Sequence, residues 1–199
     1  STFVEYQKFL NQFGEDGSIL AIGYNDSNIW KLENFRQWQA LIDDLRRVQV
    51  DVEGVPSDMV DSIFSMGNCY DLVKDTSLQT FKFRQIFPRE IKSQEELDSL
   101  KGRLYALPFY RDLLYKTESD AGLMMVFVNA GLFNSEYRGD GVQQMLSLTD
   151  AFTSRTGIKT YVTGMPYIRT VMSMKVKNEL RFFTMLAGII CTVLLLLFF

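Results

Sequence analysis

The residue types that usually carry chemistry are sparse in this sequence. It contains no histidine, which removes the commonest metal ligand and the usual proton shuttle near neutral pH. Adjacent acids occur at Asp43 and Asp44, but neighbours on a helix point to different faces, so we interpret both as solvated charge. No phosphate-binding loop and no nucleophile elbow is present. The sequence therefore predicts no enzyme, no catalytic residue, and no metal or cofactor site.

Two further motifs have simple structural interpretations. Cys69 lies in the polar part of the chain and Cys191 in an apolar run, so we do not expect them to form a disulfide. The tripeptide Arg138, Gly139 and Asp140 spells an adhesion motif, yet Gly139 and Asp140 more simply predict a turn and a helix N-cap. The net charge of -3 gives no single-sign field, so the composition indicates no nucleic-acid partner.

The C-terminal end of the sequence has the length and composition of a membrane span. Residues 182–199 are 18 residues without a charge, about 27 Å of helix at the standard rise. A buried core helix normally has a polar stripe and a signal sequence lies at the other end of a chain, so both alternatives are weaker. We expect a transmembrane helix that the sequence does not complete, and Ser1 in place of Met suggests that the start is missing too.

The first half of the chain alternates between two hydrophobic periods. Spacings of three and four residues predict helices over 3–13 and 32–48. A short apolar run predicts a strand over 18–24, and further β-like segments follow over 48–52 and 59–66. The predicted order of these elements along the chain is helix, strand, helix, strand.

The second half continues the pattern. Alternating Phe and basic residues predict a half-buried strand over 80–88. Ser93 and Glu96 form a capping box that begins a helix ending near Pro108. The nearly continuous apolar run over 122–130 predicts a central strand covered on both faces.

A strand, helix, strand unit closes the domain. After the central strand, a helix is expected from Asp140 to Thr156 with Gly157 as its C-cap, and then a strand over 158–164. The predicted fold class is α+β or mixed α/β, with a mixed sheet covered by helices on at least one face.

The join between this domain and the apolar end is made by a helix. Gly164 and Pro166 end the last strand and begin that helix. Met172, Val176 and Leu180 then repeat every four residues, so we expect one helix to run unbroken into the membrane, about 51 Å from residue 166 to residue 199. The alternative is an amphipathic segment that lies on the membrane surface.

The order of these features resembles a known family. The positions that carry the resemblance are a helix end, a strand-to-helix join and a charged helix before the span: Phe9, Phe13, Gly14, Gly164, Pro166, Arg169, Glu179, Leu180. In this order they resemble the resistance-nodulation-division (RND) exporters, and within them the MmpL-like branch that exports lipids and other hydrophobic compounds. The resemblance implies a porter-like domain of ferredoxin-like βαβ units over 1–165, a connecting helix over 166–181, and most of the second transmembrane helix over 182–199.

The resemblance also implies a function. In exporters of this family the proton gradient drives transport, and carboxylates in later membrane helices carry the protons. Those helices would lie outside this chain. Gly164, Pro166, Arg169 and Glu179 would act as coupling or hinge residues. The expected partners are a lipid or hydrophobic small molecule, membrane lipids, the remaining membrane and porter segments of the same protein, and a homo-oligomer. The location implied is the bacterial inner membrane, with residues 1–165 on the periplasmic side.

One feature of the charge pattern opposes that orientation. Lys175, Lys177 and Arg181 precede the span and on their own favour a cytoplasmic position for that end. We side with the family resemblance, because large folded domains translocate largely regardless of local charge. The alternative function is a membrane-anchored extracytoplasmic binding or sensor domain with a single span. The flanking gene sequence separates the two, since an exporter needs many further spans and an anchored domain needs a polar, basic stop.

Overall fold

The main sheet is centred on two long apolar strands. In the computed structural model, which describes residues 18–75 and 80–198, β1 (Ile19–Asn25) pairs antiparallel with β8 (Ala121–Val128). β4 (Val60–Ser65) lies on the other side of β8, and β9 (Thr160–Thr163) lies on the other side of β1. The order across the sheet is β4-β8-β1-β9, and the short β7 (Tyr115–Lys116) also pairs with β8. The predicted central position of β8 is confirmed.

Two helices cross the sheet in the same way. α1 (Leu32–Arg46) connects β1 to β4, and α4 (Arg138–Thr156) connects β8 to β9. Trp38 of α1 and Phe152 of α4 meet with ring centroids 5.4 Å apart, so the two helices pack together. Both helices, and the α+β class, are as the sequence predicted.

The pairing of the strands differs from the prediction of a mixed sheet. Each of the two crossovers spans one intervening strand: β8 lies between β1 and β4, and β1 lies between β8 and β9. The strands joined by a helix are therefore parallel but never adjacent, and the pairs between named strands of the described residues are all antiparallel.

The two faces of the sheet are not equally covered. Met124, Val126 and Val128 of β8 are buried, whereas the alternate residues Met125 and Phe127 are only half-buried. The prediction that β8 is covered on both faces is therefore wrong for one face. An antiparallel sheet tolerates this, because only one face needs to pack on a hydrophobic core.

Two hairpins lie outside the main sheet. β2 (Gln49–Val52) and β3 (Val55–Asp58) are joined by Glu53 and Gly54, which both have the positive φ that a tight type I′ turn requires. β5 (Tyr70–Asp75) pairs with β6 (Thr80–Gln85). The sequence predicted β6 as a strand, which is confirmed.

The burial predicted for β6 is wrong. All six of its residues are exposed, with Phe81 63% and Phe83 77% accessible. Alternation of Phe with Lys and Arg correctly gave the two faces of the strand. It did not reveal that no helix or sheet of the described chain covers the apolar face.

A further helix begins at its predicted N-cap, Ser93. α2 (Gln94–Tyr105) begins after Ser93, whose Oγ accepts a hydrogen bond from the backbone N–H of Glu96 at 3.2 Å. The Glu96 carboxylate accepts from the backbone N–H of Lys92, one residue earlier than a standard capping box. Leu97, Leu100 and Leu104 form its buried stripe, as the spacing predicted.

The last helix is continuous over its whole length. α5 (Met165–Phe198) has 34 residues and contains both the predicted connecting segment and the described part of the apolar run. Pro166 and Thr170 are buried against the domain, and the residues beyond Val171 are exposed. The unbroken helix is confirmed. The helix predicted over 3–13, with Phe9, Phe13 and Gly14, lies outside the described residues.

Candidate functional site

The join between β9 and α5 is fixed by close backbone packing at Gly164. Its φ is +111°, a conformation that residues with a side chain rarely adopt. A Cβ built at this position lies 2.2 Å from the carbonyl oxygen of Ile19, at the start of β1. Only glycine fits this close approach, so the end of β9 and the first turn of α5 pack directly against the start of β1.

The first turn of α5 contains the next two predicted residues. Pro166 is buried in this turn, where its missing N–H removes no helical hydrogen bond. The backbone N–H of Ile168 donates to the carbonyl oxygen of Gly164 at 3.0 Å. The predicted strand-to-helix join at Gly164 and Pro166 is therefore confirmed, while its coupling role stays a prediction.

Arg169 anchors the helix to a second element. α3 (Ala130–Phe133) is a single turn after β8, and the guanidinium carbon of Arg169 lies 4.8 Å from the centre of the Phe133 ring. Its Nη1 also lies 3.5 Å from Oδ1 of Asn134. The structure thus brings Gly164, Pro166 and Arg169 together at the base of α5.

Glu179 does not join that group. It is exposed on α5, ten residues beyond Arg169, which corresponds to about 15 Å along the helix. Among the described residues it makes no hydrogen bond or ion pair that would define a role.

The first residue of α4, Arg138, which the sequence showed only as part of the adhesion tripeptide, also lies at the base of α5. The guanidinium carbon of Arg138 lies 5.9 Å from the same Phe133 ring, and its Nη1 donates to the Phe133 carbonyl oxygen at 3.1 Å. Phe133 therefore has arginines from two different helices near its ring. The N-cap of α4 is Tyr137, so the prediction that Asp140 is the cap is wrong; Asp140 lies inside the first turn, where a negative charge favours the helix dipole.

A cavity separates α4 from the base of α5. Its volume is about 290 Å³, and the polar side chains that line it are Ser135, Glu136, Arg138, Thr170, Ser173 and Lys177. Thr170 is only 2% exposed, and its hydroxyl has no hydrogen-bond partner among the described residues. The Nε of Arg138 is likewise buried without a partner. Buried polar atoms in proteins are nearly always paired, so these two groups are exceptions within the described part of the chain.

A second polar cavity lies beside α1. Its volume is about 320 Å³, and Arg36, Arg46 and Arg89 contribute to its wall. Arg36 donates through Nε to the carbonyl oxygen of Ile91 at 3.1 Å, and Arg89 lies 4.0 Å from the carboxylate of Asp43. Through these contacts Arg36 and Arg89 hold the loop before α2 against α1. The presence of these arginines in the cavity wall therefore has a structural explanation.

The cysteines offer no reactive site in the α+β domain. Both are free; Cys69 is buried and its thiol donates to the carbonyl oxygen of Ser65 at 3.2 Å. Burial raises the pKa of the Cys69 thiol from 9.0 to about 12, so it stays protonated near neutral pH. Cys191 is exposed on α5.

The fold and this site define the class of the protein. It is an α+β domain whose last strand continues into one helix long and apolar enough to cross a membrane. Comparison of the chain with protein-family models, with curated proteins and with solved structures finds no match. Its function is therefore inferred from the sequence resemblance and from the geometry of the chain itself.

Proposed function

We propose that this chain is part of an integral membrane exporter of the RND type, of the MmpL-like branch, which moves lipids or other hydrophobic compounds. In this proposal the proton gradient drives transport through residues outside the chain. The observation that carries the proposal is the continuity of α5, which runs for 34 residues from the edge of the sheet through the apolar run. A continuous helix of about 51 Å is long enough to join the domain rigidly to a bilayer.

The topology of the sheet supports the porter part of the proposal. Two strand-helix-strand units, β1-α1-β4 and β8-α4-β9, interlock in the order β4-β8-β1-β9. This is the arrangement expected of a ferredoxin-like unit with split βαβ connections. Many unrelated functions use that arrangement, so it supports the fold of a porter domain and leaves the transport function to experiment.

The contacts at the base of α5 support mechanical coupling. Close packing of Gly164 on Ile19 and the stacking of Arg169 on Phe133 hold the helix at two points. Because the helix has no break between these points and the span, a tilt of the domain relative to the membrane would move the span with it. We propose that Gly164, Pro166 and Arg169 transmit this motion, and that Glu179 acts further along the same helix.

The proposed location is the bacterial inner membrane, with the α+β domain on the periplasmic side. Lys175, Lys177 and Arg181 lie on the exposed part of α5 before the span, where the phosphates of lipid headgroups can neutralise them. The remaining membrane and porter segments of the same protein, and further copies of it, are the proposed protein partners.

Efflux of a hydrophobic dye tests the proposal. The intact protein is produced in bacterial cells loaded with Nile red, and loss of dye is followed with and without a proton ionophore. We expect efflux that the ionophore abolishes. Absence of efflux, with the protein present in the membrane, would contradict the exporter and favour the single-span binding or sensor domain.

A matched pair of variants tests the coupling. Asn178 is exposed on α5 between the domain and the span. Asn178→Pro breaks the helix at this point, whereas Asn178→Ala preserves it. We expect the proline variant to reach the membrane but to lose efflux, and the alanine variant to retain both. Equal efflux by the two variants would show that a rigid α5 is not needed.

A further inference from the structure

We propose that one face of the β5–β6 hairpin is the surface through which two copies of this chain meet. We call it the aromatic face, and its large apolar residues are Tyr70, Leu72, Phe81 and Phe83. The inference rests on the part of the proposed function that places α5 across a membrane. It gives the proposed contact between copies a location in the fold.

The pairing of the two strands puts these four side chains on one side of the hairpin. Leu72 lies directly opposite Phe83. Tyr70 and Phe81 each lie two residues earlier along their strands, and alternate residues of a strand point to the same face. The rings of Tyr70 and Phe83 are edge to face with their centroids 6.5 Å apart. The four side chains therefore form one continuous surface.

The charged face of the hairpin contacts the domain, whereas the aromatic face is open. On the charged face the Asp71 carboxylate lies 3.5 Å from Arg84 of the neighbouring strand and 3.5 Å from Arg103 of α2. The four residues of the aromatic face are 49–77% exposed. The hydrophobic effect favours the opposite arrangement for a domain that stays alone in water, so the aromatic face is suited to be covered by another surface.

The area of the aromatic face fits contact between two copies. A fully covered Phe or Tyr side chain buries about 150–250 Å², so three such side chains and one Leu at these exposures offer about 500 Å². Two copies that cover each other bury about 1,000 Å² in total, which is the size at which specific protein–protein interfaces begin. Pairing of like faces therefore reaches that size before any contact at the rim is added.

The charge on the aromatic face also suits a like surface. Lys74, directly opposite Phe81, is the one charged residue on this face in the described part of the hairpin. A two-fold axis near Leu72 leaves the two Lys74 residues at opposite ends, about 13 Å apart along the strands and beyond the Debye length of about 8 Å. Anionic membranes and nucleic acids are bound by several cations together, which one lysine does not supply.

Anchoring in a membrane makes like faces meet. The hairpin follows β4, which begins opposite Val128 and ends opposite Met124. The hairpin therefore leaves the sheet away from the end where Gly164 packs on Ile19 and α5 begins. Two copies with α5 in the same membrane have the same orientation, so a two-fold axis between them is perpendicular to the membrane. Such an axis puts identical residues at the same height, as an isologous contact requires.

Sedimentation of the intact, detergent-purified protein tests the interface. We expect the unsubstituted protein to sediment as a dimer. Phe81→Ser combined with Phe83→Ser removes the two most exposed rings of the face, and we expect the dimer to dissociate at a concentration at least about tenfold higher. A monomeric unsubstituted protein would overturn the proposal, because another protein or another segment would then be the partner of this face.

Tyr161→Ser is the matched control. Tyr161 is 56% exposed on β9, the edge strand on the far side of the main sheet from β4. We expect this variant to remain dimeric, and both variants to keep nearly the melting temperature of the unsubstituted protein, because the replaced side chains are exposed. Dimers retained without Phe81 and Phe83 would place the interface elsewhere, and dimers lost without Tyr161 would show that exposed rings associate in general. Either result contradicts the proposal.

Cross-linking in proteoliposomes locates the contact independently of stability. Leu72→Cys is combined with Cys191→Ser and treated with a bismaleimide, while Cys69 is buried and inert. We expect a covalent dimer from position 72 and little from Tyr161→Cys in the same background. Equal dimer from both positions, or none from position 72, would contradict the contact. Because neither measurement uses dye transport, dimers without efflux would overturn the exporter alone.

Discussion

At the scale of single residues, the described structure assigns Gly164 a packing role in addition to its predicted role in coupling. Its positive φ and the nearby Ile19 carbonyl oxygen leave no room for a side chain. The geometry predicts that folding and transport fail together when Gly164 is replaced, because the residue holds the start of β1 and the first turn of α5 in contact.

Gly164→Ala tests this role. We expect the free energy of unfolding to fall by at least about 2 kcal/mol, because backbone strain of about 1–3 kcal/mol adds to a steric clash. Urea unfolding of the chain in detergent, followed by circular dichroism, measures the change. An unchanged unfolding curve would contradict the packing of Gly164 on Ile19.

The control for this variant is Gly102→Ala. Gly102 lies inside α2, and a Cβ built there meets no atom within 4 Å. Alanine is the better helix former by about 0.5–1 kcal/mol, so this variant is expected to be more stable than the natural chain. Opposite signs for the two substitutions would show that the local backbone, and not the added methyl group, decides the outcome.

At the scale of elements, the helices follow their local signals more closely than the strands. α2 begins at the predicted Ser93 cap, and α4 ends at the predicted Gly157, which has a left-handed conformation. These signals are local, since a cap needs only groups three or four residues away. The burial of β6 depends on what packs against it. The alternation of Phe with Lys and Arg in its sequence fits an exposed strand as well as a half-buried one.

Ser93→Ala measures the strength of the cap. We expect a loss of about 1 kcal/mol in the free energy of unfolding, because the Glu96 N–H loses its partner. Ser99 lies in the exposed middle of α2, so Ser99→Ala serves as the control and should be neutral or slightly stabilising. Thermal unfolding of both variants gives the comparison; equal melting temperatures would contradict the cap.

At the scale of the whole molecule, α5 combines two environments in one helix. Its first turns pack on the domain through Pro166 and Thr170, and its later turns are apolar and unburied. An exposed apolar helix of this length is unfavourable in water, because its surface remains hydrated. The observation predicts that the chain partitions into membranes through α5.

Two charges placed in the span test this partition. Ile190→Arg combined with Leu194→Arg introduces a cost of about 2.5–3.5 kcal/mol for each arginine near the centre of the span. We expect the variant chain to leave the membrane fraction after an alkaline carbonate wash. A control chain with Ile190→Leu and Leu194→Ile should stay in the membrane. If the arginine variant also stays, α5 is not the segment that anchors the chain.

The sequence by itself determined the local elements and the span. Periods of two and of three to four residues identified β1, α1, α4 and the long α5, since these patterns reflect which face of an element avoids water. The absence of charge from Phe182 onward predicted the span without reference to the rest of the fold. Such signals are contained within the element that produces them.

Only the tertiary structure decided which elements meet. The antiparallel order of the sheet, the contact of Gly164 with Ile19 and the cavity that joins Arg138 to Thr170 all connect residues far apart in the chain. No local spacing encodes these contacts, because they follow from how the helices and the sheet pack together to bury their apolar faces. The cavity at the base of α5 is therefore visible only once α4 and α5 lie side by side.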